Sequence, residues 1–231
     1  MKQDRVCAII LAAGSGRRMN LDLTKQQLSI KGKSVIYRSA EAFEECEDIT
    51  DIILVVKDDE MDFATHELSS KISKLRKIVT GGKTRVESAR LGFQAIDFPC
   101  RLVAIHDAAR CLILPNMITK VVNDATLYCA ATASSVVVDT VKRIDKDGFI
   151  ISTENREELR LASTPQIFDY ELYKKAISSN YSQNPDITDD NMLMERMGIK
   201  VHMTDVGGEN IKITYAEDIA FAEYLLERRD G

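Results

Sequence analysis

The sequence is poor in the residues that build disulfide frameworks, zinc sites and membrane spans. Its five cysteines, at 7, 46, 100, 111 and 129, are odd in number and form no Cys-x-x-Cys pair. Cys7 and Cys129 sit in apolar runs, so reduced core thiols of a cytoplasmic protein are expected rather than a disulfide scaffold. The three histidines, at 66, 106 and 202, are too scattered to suggest zinc. No apolar run approaches the ~20 residues of a membrane helix. Positive charge is also scarce: 31 Lys and Arg against 36 Asp and Glu leave a net charge of −5. That balance argues against a general nucleic-acid binder, and any cations that serve phosphates must be gathered locally. No repeat, linker or low-complexity segment interrupts the 231 residues. A single domain over residues 1–231, with one insertion, is expected.

Two common nucleotide motifs are missing as well. The stretch Leu11-Ala-Ala-Gly-Ser-Gly-Arg-Arg-Met19 does not end in the Gly-Lys-Ser/Thr of a P-loop. It also has Met19 where the dinucleotide fingerprint requires a third glycine. What it does have is the apolar run Val6–Leu11, which reads as a strand buried on both faces. A turn on Ala12, Ala13, Gly14 and Gly16 follows, where backbone N–H groups can approach an anion closely. Arg17, Arg18 and Lys25 add cations to the same loop. Together these point to a loop that holds a triphosphate; the plainer reading is a solvated basic loop.

The rest of the chain alternates strands and helices. Strands are expected at 51–56, 77–80, 101–106 and 130–138, and helices at 34–46 (capped by Ser34), 59–75, 84–95 and from Pro115. Such alternation predicts a Rossmann-like, mostly parallel α/β sheet flanked by helices. Loops 12–25, 81–88 and 107–110 then share its carboxyl edge, where ligands of such sheets bind. Residues 136–152 break the pattern and read as a β-hairpin, an inserted arm over about 137–156. An apolar arm needs a cover, and a second copy is the simplest; the alternative is a hairpin folded onto its own domain. Helices from about Asp169, after Thr188 and over 216–228, with strands at 201–205 and 211–213, complete the expectation.

In their order along the chain, the motifs resemble those of the 2-C-methyl-D-erythritol 4-phosphate cytidylyltransferase family. They are residues 11–19, Lys25-Gln26, Gly81-Gly-x-x-Arg85 with Ser88, and His106-Asp-Ala-Ala-Arg110. Asp139-Thr-Val-Lys-Arg143, Thr164-Pro-Gln166, Thr188-Asp-Asp190 and Asn210-Ile-Lys212 follow. The resemblance implies a β-arm homodimer that joins CTP to methylerythritol 4-phosphate with Mg²⁺ and releases pyrophosphate. By the same likeness, Arg18 and Lys25 are the transition-state cations. Ala12, Ala13, Gly14, Gly82, Ser88 and Ala108 match positions lining the nucleotide. Arg156, Lys212, Thr140 and Thr188 match positions around the acceptor, with Arg156 reaching the neighbouring subunit's site. A hard cation wants carboxylate and phosphate oxygens, which makes Asp107 the Mg²⁺ candidate; the plainer reading is a helix cap. Glu209 is a weaker acidic candidate. Lys212 lies between two isoleucines and needs an anionic partner. Thr24, Lys83 and Arg160 depart from common family residues. The nearest alternative is a ribitol 5-phosphate cytidylyltransferase, whose His-Asp-Ser-Val-Arg motif differs from residues 106–110 here.

Overall fold

Strand β1 (Val6–Leu11) sets the layering of the molecule. Every one of its residues is buried, because alternate side chains serve two different cores. Val6, Ala8 and Ile10 join one cluster, whereas Cys7, Ile9 and Leu11 join another on the opposite face. The computed structural model describes residues 5–14 and 24–230. Arg17 and Arg18 lie outside them.

Strand β1 pairs in parallel with β4 (Asp51–Val56) on one side and β6 (Leu102–Asp107) on the other. Beyond β4 lies β5 (Leu75–Thr80), also parallel. On the other flank, β10 (Arg160–Asp169) runs antiparallel to both β6 and β7 (Ala130–Val136), and β11 (His202–Asp205) closes that edge parallel to β7. The order is β11-β7-β10-β6-β1-β4-β5, the mostly parallel sheet that the alternation predicts. Short β2 (Ser29–Ile30) and β3 (Lys33–Ser34) form a separate small hairpin.

Helices α1 (Val35–Glu45), α2 (Met61–Leu68) and α4 (Pro115–Tyr128) cover one face, through Phe43, Leu68 and Val121 among others. Helices α3 (Arg85–Gln94), α5 (Tyr170–Ile177) and α6 (Asp190–Arg196) cover the second face through Phe93, Tyr173 and Leu193. Helix α7 (Glu217–Asp230) closes a third cluster over Leu28, Ile30 and Leu112. Ser34 caps α1 as expected, accepting from the Tyr37 amide. No helix among the described residues is long and apolar enough to cross a membrane.

Three local expectations differ from the structure, and strand β10 is an element the pattern does not predict. The helix expected over 59–75 ends at Leu68, because the Glu44 carboxylate captures the amides of Ser73 and Lys74 at 3.1 and 2.9 Å and holds that segment as a turn. Strand β10 passes through Pro165, a residue without the N–H a central strand normally needs. The β10–β7 register shifts between Ala162 and Gln166, so the proline sits where no regular rung is required. Residues 211–213 form no strand; a single bond from the Ile213 amide to the Ala109 carbonyl, 2.8 Å, ties them to the sheet edge. Cys129 is exposed rather than in the core, since it ends α4 in the left-handed region at φ 66°.

The expected arm is formed by β8 (Lys142–Ile144) and β9 (Ile150–Thr153). Val138, Ile144, Phe149, Ile150 and Ile151 are exposed along it.

Candidate active site

The carboxyl ends of β1, β5 and β6 open into a cleft of about 530 Å³. Ala13, Gly14, Lys25, Gly82, Ser88, Asp107 and Lys212 line it, joined by Arg85. Seven of the residues singled out from the sequence therefore meet at one place. Ala12 and Ala108 stand behind the wall, fully buried. Their amides are engaged within the sheet, to the Val55 carbonyl at 2.7 Å and the Leu11 carbonyl at 2.9 Å. Thr140, Arg156 and Thr188 are exposed and do not line the cleft. Arg156 donates to the Val138 carbonyl at the base of the arm, 2.6 Å. Thr188 donates to the Met192 sulfur. Arg18 lies outside the described residues.

Each wall has a local cause. Gln26 is buried, and its side-chain amide donates to the Ala12 carbonyl at 2.9 Å. That strut carries the neighbouring Lys25 to the cleft rim. On the opposite wall Thr84 caps α3, accepting from the Glu87 amide at 3.1 Å. The Ser88 hydroxyl accepts from the Gly82 amide at 3.1 Å and donates to the Thr84 carbonyl. The turn must be glycine at 81, because a Cβ there would stand 2.5 Å from that of Ala13.

The floor is a knot of charge. Asp107 ends β6, and Arg85 Nε donates to its Oδ1 at 3.0 Å while Lys212 Nζ donates to its Oδ2 at 2.7 Å. Lys212 thus has the anionic partner its apolar neighbours demanded. Arg85 also donates through Nη1 to Asp190 Oδ2 at 2.5 Å. The second Asp190 oxygen accepts from the Tyr173 hydroxyl at 2.6 Å. Burial alone would raise the Asp107 carboxyl, but Arg85 and then Lys212 hold it well below the usual carboxylate range. Burial also works against the charge of Arg85, yet Asp190 and Asp107 keep its guanidinium more firmly protonated than usual.

Behind Asp107, the Thr164 hydroxyl accepts from the Asp107 amide at 3.0 Å and meets His106 Nδ1 at 3.0 Å. His106 is fully buried against Phe43, and that burial pushes its pKa down to about 3. That low pKa keeps the imidazole neutral. Asn210 locks the same corner, donating to the Thr164 carbonyl at 2.8 Å.

Asp107 fits a magnesium site of one kind. No cluster of three acidic, histidine or cysteine side chains able to hold a metal exists among the described residues. An all-protein cage is therefore not what this cleft offers. One carboxylate at the edge of a cation-lined cleft suits an ion held mainly by substrate phosphates. Glu209 is not available as a second ligand, since Arg228 and Arg229 occupy its carboxylate.

Arg85, Gln26 and Thr164 belong to the sequence motifs, but the motifs alone assign them no role. The signal for Arg85 was present: an arginine at a helix start needs a reason, and two aspartates stood in the other motifs.

The family model for IspD, 2-C-methyl-D-erythritol 4-phosphate cytidylyltransferase, matches residues 6–228. A relative of that name from Caldanaerobacter subterraneus subsp. tengcongensis is 41% identical over 225 residues, covering 96% of this chain and 99% of the relative. The crystal structure of 4-diphosphocytidyl-2C-methyl-D-erythritol synthase from Anaerococcus prevotii superposes with a TM-score of 0.86 at 32% identity, covering 96% of both chains. The Francisella tularensis 2-C-methyl-D-erythritol 4-phosphate cytidylyltransferase superposes with a TM-score of 0.79 at 26% identity, covering 95% of this chain and 99% of that one. With the family model spanning nearly the whole chain and a relative of that name 41% identical over 96% of it, this chain belongs to the 2-C-methyl-D-erythritol 4-phosphate cytidylyltransferase (IspD) family.

Proposed function

We propose that this nucleotidyltransferase transfers the cytidylyl group of CTP to 2-C-methyl-D-erythritol 4-phosphate and releases pyrophosphate. The observation that carries the reading is the convergence of Lys25, Lys212 and Asp107 on one cleft beside the Gly82–Ser88 turn. The acceptor phosphate attacks the α-phosphorus in line; the new P–O bond forms as the bond to pyrophosphate breaks. A phosphate monoester is already anionic, so no strong base is required, and positioning with charge stabilisation supplies the rate. Lys25 and Arg18 neutralise charge on the phosphoryl oxygens. Lys212 leaves Asp107 to meet the acceptor phosphate, together with Thr188. Asp107 would hold Mg²⁺, which would supply charge neutralisation for the triphosphate and the leaving group. Ala13, Gly14, Gly82 and Ser88 line the nucleotide, with Ala12 and Ala108 fixing the strand ends behind them.

The working form is a homodimer in which Arg156 and Thr140 of one copy complete the other copy's site. Two observations support this: both residues stand on the arm away from their own chain's cleft, and the arm is apolar and uncovered. A cytoplasmic location suits five cysteines that are all free thiols.

The test is pyrophosphate release from CTP with Mg²⁺, offering methylerythritol 4-phosphate and ribitol 5-phosphate separately, with ATP as a donor control. Turnover is expected only with CTP and methylerythritol 4-phosphate. Arg18→Ala and Lys25→Ala should each lower kcat by about two to three decades. Preference for ribitol 5-phosphate overturns the acceptor, and activity undiminished in both variants overturns the catalytic loop.

A further inference from the structure

Arg85 is the first residue of α3, directly after the turn that lines the nucleotide side of the cleft. Its side chain spans two carboxylates from different parts of the chain. Asp107 lies at the end of β6, and Asp190 opens α6 two residues beyond Thr188. Asp190 has no freedom to follow a moving partner. It is fully buried, its second oxygen is taken by Tyr173, and its amide donates to Gln166 Oε1 at 3.0 Å. Asp107 is pinned in turn by the Thr164 hydroxyl on its amide. A single guanidinium therefore joins the nucleotide wall, the carboxylate floor and the segment that carries Thr188.

The charges reinforce that reading. Arg85 answers both Asp107 and Asp190, whereas Lys212 answers Asp107 alone. Without Arg85, the buried Asp190 would keep no cation on it and Asp107 would be left with Lys212. Arg85 still lines the cleft while its Nη2 is buried without a partner; a guanidinium kept only to staple helices would more commonly satisfy all its donors within the protein.

We propose that Arg85 is a positioning residue that sets the acceptor-side segment at Thr188–Asp190 in register with Asp107. This rests on the cytidylyltransferase reading above. Lysine at 85 keeps the charge but cannot reach both aspartates from one nitrogen in the same fork geometry. Asparagine at 190 keeps the shape but removes the charge that Arg85 grips. Val121→Ala is the control, since it truncates the core on the other face of the sheet without touching Arg85 or Asp190.

Wild type, Arg85→Lys, Asp190→Asn and Val121→Ala are compared by steady-state kinetics, each substrate varied with the other saturating, and by thermal melting. In Arg85→Lys and Asp190→Asn, KM for methylerythritol 4-phosphate should rise about tenfold and kcat fall about tenfold, with KM for CTP held within about twofold. Val121→Ala should lower Tm and leave both KM values unchanged. If Arg85→Lys and Asp190→Asn behave like Val121→Ala, or raise both KM values in parallel, the positioning role is wrong. Absence of wild-type turnover with this acceptor would overturn the functional reading and the proposal together; wild-type turnover with unaltered variants overturns the proposal alone.

Discussion

His106 illustrates how much a single residue in this site depends on its setting. Burial lowers its pKa to about 3, whereas an unfolded histidine titrates near 6.5. The unfolded chain therefore takes up a proton that the folded chain refuses. This contribution to stability is fully present above about pH 6.5 and drains away as pH falls toward about 3, at up to ~1.4 kcal/mol per pH unit. Between pH 7 and pH 5 the wild type should lose about 2 kcal/mol more than His106→Phe, read from urea unfolding at the two pH values. An equal loss in both proteins would remove His106 as the cause. The motif around residues 106–110 was legible in the sequence, but the duty of its histidine was not. That duty comes from Thr164, distant in the chain, whose hydroxyl lies between the imidazole and the Asp107 amide. Lys212 was the opposite case. An ammonium between two isoleucines demanded an anion, and Asp107 supplies it.

At the scale of elements, the strands buried on both faces were the most legible features, since β1 is a continuous apolar run and β4 and β6 each carry at least four apolar residues in succession. Strand β10 was not, because it carries a proline and an exposed, mixed N-terminal half. Only its pairing between β6 and β7 makes it a strand. Helix α3 was legible in extent, yet its seating depends on a glycine that no pattern flagged. A Cβ at Gly92 would stand 2.5 Å from Ile9 Cγ2 and 2.8 Å from Val55 Cγ2. Both neighbours are rigid side chains of central strands, so α3 itself must lift. Alanine gains at most ~1 kcal/mol in helix propensity, while overpacking of this kind costs ~1–3 kcal/mol. Gly92→Ala should accordingly be destabilised in urea unfolding. Calorimetric titration should show weaker CTP binding, because Ser88 and the Gly82 turn ride on the same helix. Unchanged stability would mean that the interface has slack the packing does not suggest.

For the whole molecule, the test of the shared site is complementation. Arg156→Ala and Lys25→Ala proteins, each nearly inactive alone, are mixed in equal amounts and allowed to exchange subunits. Half of the random dimers are hybrids with one intact site each, so about a quarter of wild-type activity should return. No recovery, with exchange verified, would place Arg156 in its own chain's site. A charge at Phe149 or Ile150 should weaken the dimer in sedimentation measurements, since either would bury an unpaired ion. Val136 and Arg160 are directly paired across β7 and β10. The backbone thus leaves the sheet and rejoins it at one rung, and residues 137–159 form, in topological terms, an overgrown hairpin loop. Such a loop can be shortened to a tight turn without rethreading any strand. The apolar arm is in this sense a cassette. Lineages, or an engineer, can resize or exchange it without disturbing the fold that cradles the nucleotide.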